Sequence, residues 1–132
     1  VISTDFYPTL LEAAGLSLRP EQHVDGTSLA PVLRGRPTLD RDALFWHYPH
    51  YSNQGGFPGG AVRMGEWKLI EDYEDGKVRL FHLEKDLGER NNVAGQYPGR
   101  VEQMRQRLHE WYEEVDAHFL RARENGPEPW RP

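Results

Sequence analysis

Residues 61–64 and 67–73 read as two strands, and only Gly65-Glu66 lies between them. A two-residue link allows antiparallel pairing alone, since parallel strands need a crossover of a dozen residues or more. Glycine at the first central position suits a type II′ turn, whose backbone twist matches that of the flanking strands. Asp75-Gly76 reads as a second tight turn, of type I′, into a strand over 78–83. Residues 43–48, Ala-Leu-Phe-Trp-His-Tyr, also have strand composition. Four runs linked in this way predict a four-stranded antiparallel sheet.

The sheet needs a cover. Pro98 suits the first position of a helix, and Val101, Met104, Leu108, Trp111, Val115 and Phe119 then recur at spacings of three and four. The stripe predicts one long amphipathic helix carried through Phe119 and packed on one sheet face, an α+β arrangement. Before the sheet, Ser3-Thr4-Asp5 offers N-caps for a helix carrying Phe6, Tyr7, Leu10, Leu11 and Ala14, with Gly15 at its end. Pro8 is tolerable there because the first turn has N–H groups without intrahelical partners. Thr27 or Ser28 can cap a second short helix, stopped by Gly35. Residues 49–60, with two prolines and four glycines, read as a long shaped loop.

Charge and composition narrow the function. The 132 residues carry 16 basic and 21 acidic side chains, a formal net charge of −5. Nucleic acid or an anionic membrane would call for a basic face, so neither is an expected partner. No apolar run approaches the roughly 20 residues that cross a bilayer. There is no cysteine, hence no disulfide, thiolate metal site or cysteine nucleophile. The chain enters its first helix almost at once and without an initiator methionine, so it is expected to be a piece of a longer protein.

Four segments, in order, resemble the sulfatase family of the formylglycine-dependent, arylsulfatase-like type. Asp5 to Leu11 with Ala14-Gly15 is similar to the family's "D-x-x-P-T-L-L…A-G". Asp25-Gly26-Thr27-Ser28-Leu29 is similar to "D-G-x-S-L". Arg63 to Ile70 resembles the hairpin "R-x-G-x-W-K-L-I", and Leu80 to Leu83 with Asp86, Glu89 and Asn92 resembles "L-Y-x-L…D-x-x-E…N". The resemblance implies the carboxy-terminal portion of a sulfatase. Residues 1–35 would be a helical connector from the catalytic domain, 36–124 the sheet-and-helix subdomain and 125–132 an irregular tail. It also implies that formylglycine and calcium belong to that catalytic domain. Here there is no cysteine, no Ser-x-Pro-x-Arg and no Asp-Asp or Asp-Asn pair. This chain alone is therefore expected to be inactive and to hold no cofactor.

By the same resemblance the partners are the catalytic domain and a sulfated carbohydrate, and the location is secreted or periplasmic. The expected substrate-binding residues are His47, Tyr48, His50, Tyr51, Asn53 and Gln54, on the loop leaving a strand, together with Arg63 on the hairpin. Tyrosine faces pack against sugar C–H surfaces, and His, Asn and Gln give directional hydrogen bonds. Each has an ordinary structural reading beside the functional one. The histidines can order the loop, and Arg63 and Lys68 can lie on a salt-bridged face. Asp86, Glu89 and Asn92 can serve as loop hydrogen-bond groups. Other readings are a non-catalytic glycan-binding module and a small metal hydrolase built on His47 and His50, which lacks a third ligand. The wide apolar stripe of the first helix predicts an uncovered interface and self-association.

Overall fold

The computed structural model of the chain describes residues 1–53, 55–122, 124–126, 128 and 130–132. They form two units, Val1–Arg41 and Asp42–Pro132.

In the first unit a 3-10 turn, Ser3–Asp5, runs into α1, Phe6–Ala13, and a single turn, α2, spans Ala30–Leu33. Asp5 organises this unit. Its fully buried carboxylate accepts the N–H groups of Ile2 at 2.9 Å and Thr27 at 3.0 Å, and it pairs with Arg41. One turn later the Thr9 hydroxyl donates to the Asp5 carbonyl at 2.6 Å and accepts the Leu29 N–H at 2.8 Å. Gly26 lies so close that a Cβ there would sit 2.3 Å from the Thr4 carbonyl oxygen. The segments "D-x-x-P-T" and "D-G-x-S-L" are thus two halves of one clasp. Burial works against the Asp5 charge, but the hydrogen bonds from Arg41, Thr27 and Ile2 outweigh it and hold its pKa at about 2. Phe6 and Leu10 of α1 remain exposed, at 58% and 65%. That is far more than a helix covered on several sides would leave.

The second unit is an antiparallel sheet, β1 Leu44–Tyr48, β2 Gly59–Met64, β3 Trp67–Asp72 and β4 Val78–His82, in spatial order β1-β2-β3-β4, followed by α3, Pro98–Glu114. Val62, Leu69 and Leu80 stand opposite one another across three strands and are fully buried with Met104 and Leu108 of α3. Each such side chain contributes about 1.5–3 kcal/mol by leaving water. The other sheet face carries Trp46, Tyr48, Arg63, Lys68, Ile70 and Phe81. A recess of about 250 Å³ lies between Trp46, Phe57, Ala61 and Ile70 on that face.

Gly65 takes a positive φ of 57° between β2 and β3 while Glu66 does not, as a II′ turn demands. The expected I′ turn at Asp75-Gly76 does not form. Only Gly76 is left-handed, and the Gly76 N–H closes a wider loop on the Asp72 carbonyl at 2.9 Å. The reason is Tyr73, drawn wholly into the core at the start of that loop. Gly59 and Gly60, expected in the loop over 49–60, belong to β2. A Cβ at Gly60 would meet the Tyr112 hydroxyl at 1.8 Å and the Tyr73 hydroxyl at 2.5 Å.

The last helix stops at Glu114 and does not continue through Phe119. Asp116 turns left-handed at φ 50°, and the Ala117 N–H bonds back to the Tyr112 carbonyl at 2.9 Å while that of Asp116 reaches the Glu113 carbonyl at 3.2 Å. These paired bonds form a Schellman end. Phe119 then reaches the core from outside the helix, 5.2 Å from the Tyr73 ring and 5.1 Å from Tyr112.

Candidate functional site

The loop leaving β1 is anchored by the strand itself. Phe45 points toward α3 and stacks on Trp111 at 4.9 Å and 6°. His47, two residues on, faces the same way. Its Nε2 lies 2.8 Å from the His118 carbonyl, and its Nδ1 lies 2.6 Å from the Tyr73 hydroxyl. A carbonyl only accepts, so Nε2 carries the proton and Nδ1 accepts from Tyr73. Tyr73 has no second proton, which leaves Tyr112 to donate across the 2.8 Å hydroxyl–hydroxyl bond. The chain Tyr112 to Tyr73 to His47 to the His118 carbonyl is therefore a directed relay. Burial lowers the His47 pKa against the opposing bond to His118, and burial pushes both tyrosines above their usual range. All three stay neutral at neutral pH. Beside the relay, buried Glu71 accepts Arg105 Nε at 2.7 Å and lies 2.8 Å from His109 Nε2.

The next residues project outward. Tyr48 is 51% exposed, and its ring meets that of His50 edge-on at 5.5 Å. Tyr51 is 64% exposed and donates to Glu74 at 2.9 Å, a bond that raises its pKa. Asn53 is exposed, and Gln54 lies outside the described residues. Thus Tyr48, His50, Tyr51 and Asn53 form one outward group. His47, singled out with them, turns inward and spends both nitrogens on the protein. Arg63 stands apart. It pairs with Leu44 while Tyr48 pairs with Gly59, so four residues of β2, about 13 Å, separate it from the loop. It is exposed and donates to the Gly65 carbonyl at 3.1 Å. Glu74, which the sequence reading missed, fastens the loop; a lone glutamate beside a turn carries no signal of such a role.

The remaining candidates resolve into structure. Lys68 is paired with Glu89 at 2.6 Å. Asp86 accepts the N–H groups of Arg90 and Asn91, each at 2.8 Å, and Asn92 accepts those of Leu80 and Ala94, each at 3.0 Å. With its nitrogens occupied, His47 cannot join His50 on a metal.

These segments are those of a known family. The model of the "N-sulphoglucosamine sulphohydrolase, C-terminal" family matches residues 1–118. The chain belongs to the sulfatases, as a carboxy-terminal segment.

It is 38% identical over 109 residues to a sulfatase of Formosa agariphila, covering 76% of this chain and 20% of that protein. Among solved structures, a 2-O GAG sulfatase matches with a TM-score of 0.73 and 28% identity, over 86% of this chain and 25% of that one. A protein in complex with its substrate D-glucosamine-2-N,6-O-disulfate matches with a TM-score of 0.71 and 28% identity, over 85% and 24%. The chain spans about a fifth of the length of the curated relatives it matches. The sulfatase family suggests calcium and formylglycine in the catalytic domain, and among the described residues the carboxylates of the matched segments do not fit calcium. The carboxylates Asp5 and Asp86 in the family segments are committed to Arg41 and to backbone amides.

Proposed function

We propose that this segment forms one wall of the substrate cleft of a sulfuric ester hydrolase, and that Tyr48, His50, Tyr51 and Asn53 contact a sulfated carbohydrate there. The observation that carries this reading is the relay at His47, which fixes the end of β1 so that the residues beyond it project from a rigid base. The Glu74 carboxylate that holds Tyr51, with Asp72 close by at the end of β3, places negative charge beside the loop, a poor setting for a sulfate group. The loop therefore grips the sugar body, its tyrosine faces against C–H surfaces, while the sulfate is held by the catalytic domain. Relatives named for sulfated sugars support the substrate class. The exposed Phe6 and Leu10 of α1 belong to the contact with the catalytic domain, and without it they favour self-association. The whole enzyme acts outside the cytoplasm, secreted or periplasmic, as the family suggests.

The test is turnover of a panel of sulfated mono- and disaccharides by the full-length enzyme and by its His50→Ala and Tyr51→Phe variants. The expected result is altered preference among sugars with the best substrate's kcat little changed. Unaltered preference in both variants removes the loop from recognition. Sulfate release by the 132-residue chain alone would overturn the assignment of chemistry to the rest of the protein.

A further inference from the structure

A different part of the sheet holds the donor set of a cation site. Glu66 is the second residue of the β2–β3 turn, His82 ends β4, and Glu84 follows two residues later. The Leu83 N–H donates to the Glu66 carbonyl at 2.7 Å, which ties the turn to the segment leaving β4. One ring nitrogen of His82 and one oxygen from each carboxylate lie within 4.8 Å of one another.

The histidine sets this cluster apart from an ordinary acidic surface. Its ring packs edge-on against Trp67 at 4.5 Å and is 13% exposed. Yet it makes no hydrogen bond among the described residues. Nδ1 is buried without a partner, and Nε2 stands 3.7 Å from the nearest Glu66 oxygen, beyond hydrogen-bond reach. A buried ring nitrogen without a partner is uncommon enough to call for an absent ion or water near this ring, whose other nitrogen already faces Glu66. The two carboxylates are free to adjust, since Glu66 is half-exposed and Glu84 exposed.

We propose that Glu66, His82 and Glu84 bind a divalent cation of the zinc type, with water in a fourth position. One imidazole and two carboxylates make a three-ligand tetrahedral set, whereas calcium takes six to eight oxygens and finds few here. Zinc bonds of about 2.0–2.1 Å place tetrahedral donors about 3.4 Å apart. The donors, now within 4.8 Å of one another, would have to draw together to that spacing by movement of the two exposed glutamates. Two carboxylates and a neutral imidazole balance the ion's charge. The bound ion would pin the β2–β3 turn to the segment after β4. Glu66 and His82 fall on the unspecified positions of "R-x-G-x-W-K-L-I" and "L-Y-x-L", so the motifs themselves do not call for the site.

The test titrates zinc chloride into the metal-free chain near pH 7.5, by calorimetry and by the imidazole nitrogen signals, where histidine is free to ligate. One equivalent should bind, with His82 the first histidine to shift. Glu66→Gln and Glu84→Gln, surface changes whose unfolding curves confirm the fold, should each weaken binding at least about tenfold, since loss of an outer partner alone costs that much. His82→Gln should abolish binding, although its packing on Trp67 makes the two glutamate variants the firmer evidence. The proposal is overturned by no binding, by binding untouched in both glutamine variants, by an earlier shift at His23, His50 or His118, or by equal affinity for calcium.

Discussion

Gly60 is where the relay and the sheet compete for the same space, and Gly60→Ala measures that competition. Its φ is not in the left-handed region, so alanine is conformationally admissible and even gains about 0.4–1 kcal/mol by restricting the unfolded chain. The added methyl would nonetheless lie 1.8 Å from the Tyr112 hydroxyl, 2.5 Å from that of Tyr73 and 2.9 Å from the Tyr112 ring carbon bearing the hydroxyl. Overpacking costs about 1–3 kcal/mol, and displacing the two hydroxyls adds about 1 kcal/mol for a weakened bond. After the gain is subtracted, the expected destabilisation is about 1–3.5 kcal/mol. Tyr112→Phe removes the nearest clashing atom and one hydrogen bond, at a cost of about 1 kcal/mol. If the clash is the cause, Gly60→Ala with Tyr112→Phe should be more stable than the sum of the two changes by about 1 kcal/mol or more. Urea unfolding followed by tryptophan fluorescence gives all four values. A Gly60→Ala cost below about 0.5 kcal/mol, or strict additivity in the cycle, would refute the reasoning.

Three further outcomes follow from the same physics. Asp5 has its folded pKa depressed to about 2 from 3.8. Its contribution, about 1–2 kcal/mol after allowance for the partly solvated Arg41, is therefore present above pH 4 and lost as pH falls from about 4 to 2; Arg41→Gln should flatten that loss in acid urea titrations. His47 is also depressed, by burial, so its folded form resists protonation; stability should fall as pH drops below about 6.5, and its imidazole should titrate below that value by NMR. Asp116→Gly should raise stability by about 0.5–1 kcal/mol in the same urea assay, because glycine takes φ 50° without the Cβ penalty.

The hairpin was legible because its turn chemistry and strand lengths pointed one way. Gly15 and Asp116 show where reading stopped. Both end helices with the same pair of backward hydrogen bonds, but glycine announces a left-handed residue and aspartate does not. The stripe through Val115 and Phe119 kept its spacing past the true end, since a packed loop can place an aromatic ring where another helical turn would have. The inward turn of His47 was hidden for a different reason. In Leu44-Phe45-Trp46-His47-Tyr48 both faces are aromatic, so period-two alternation cannot say which side is buried. Gly60 carried the missing information, but only once the tyrosine hydroxyls above it are known. The separation of Arg63 from the loop required the register, which spacing alone does not supply.

The order β1-β2-β3-β4 also bears on how the second unit acquires its shape. Every strand pairs with its neighbour in sequence, so no pairing waits for a distant segment to arrive. Loop-closure entropy is then met in small instalments, the two-residue turn at Gly65-Glu66 being the smallest, and hairpins of that kind close in about 1–10 μs. The helix comes afterwards and supplies Met104 and Leu108 to a surface already in place. On a ribosome this succession runs in the direction of synthesis: the sheet can be assembled before its cover has emerged. Its apolar face is then bare for the interval that α3 takes to be made.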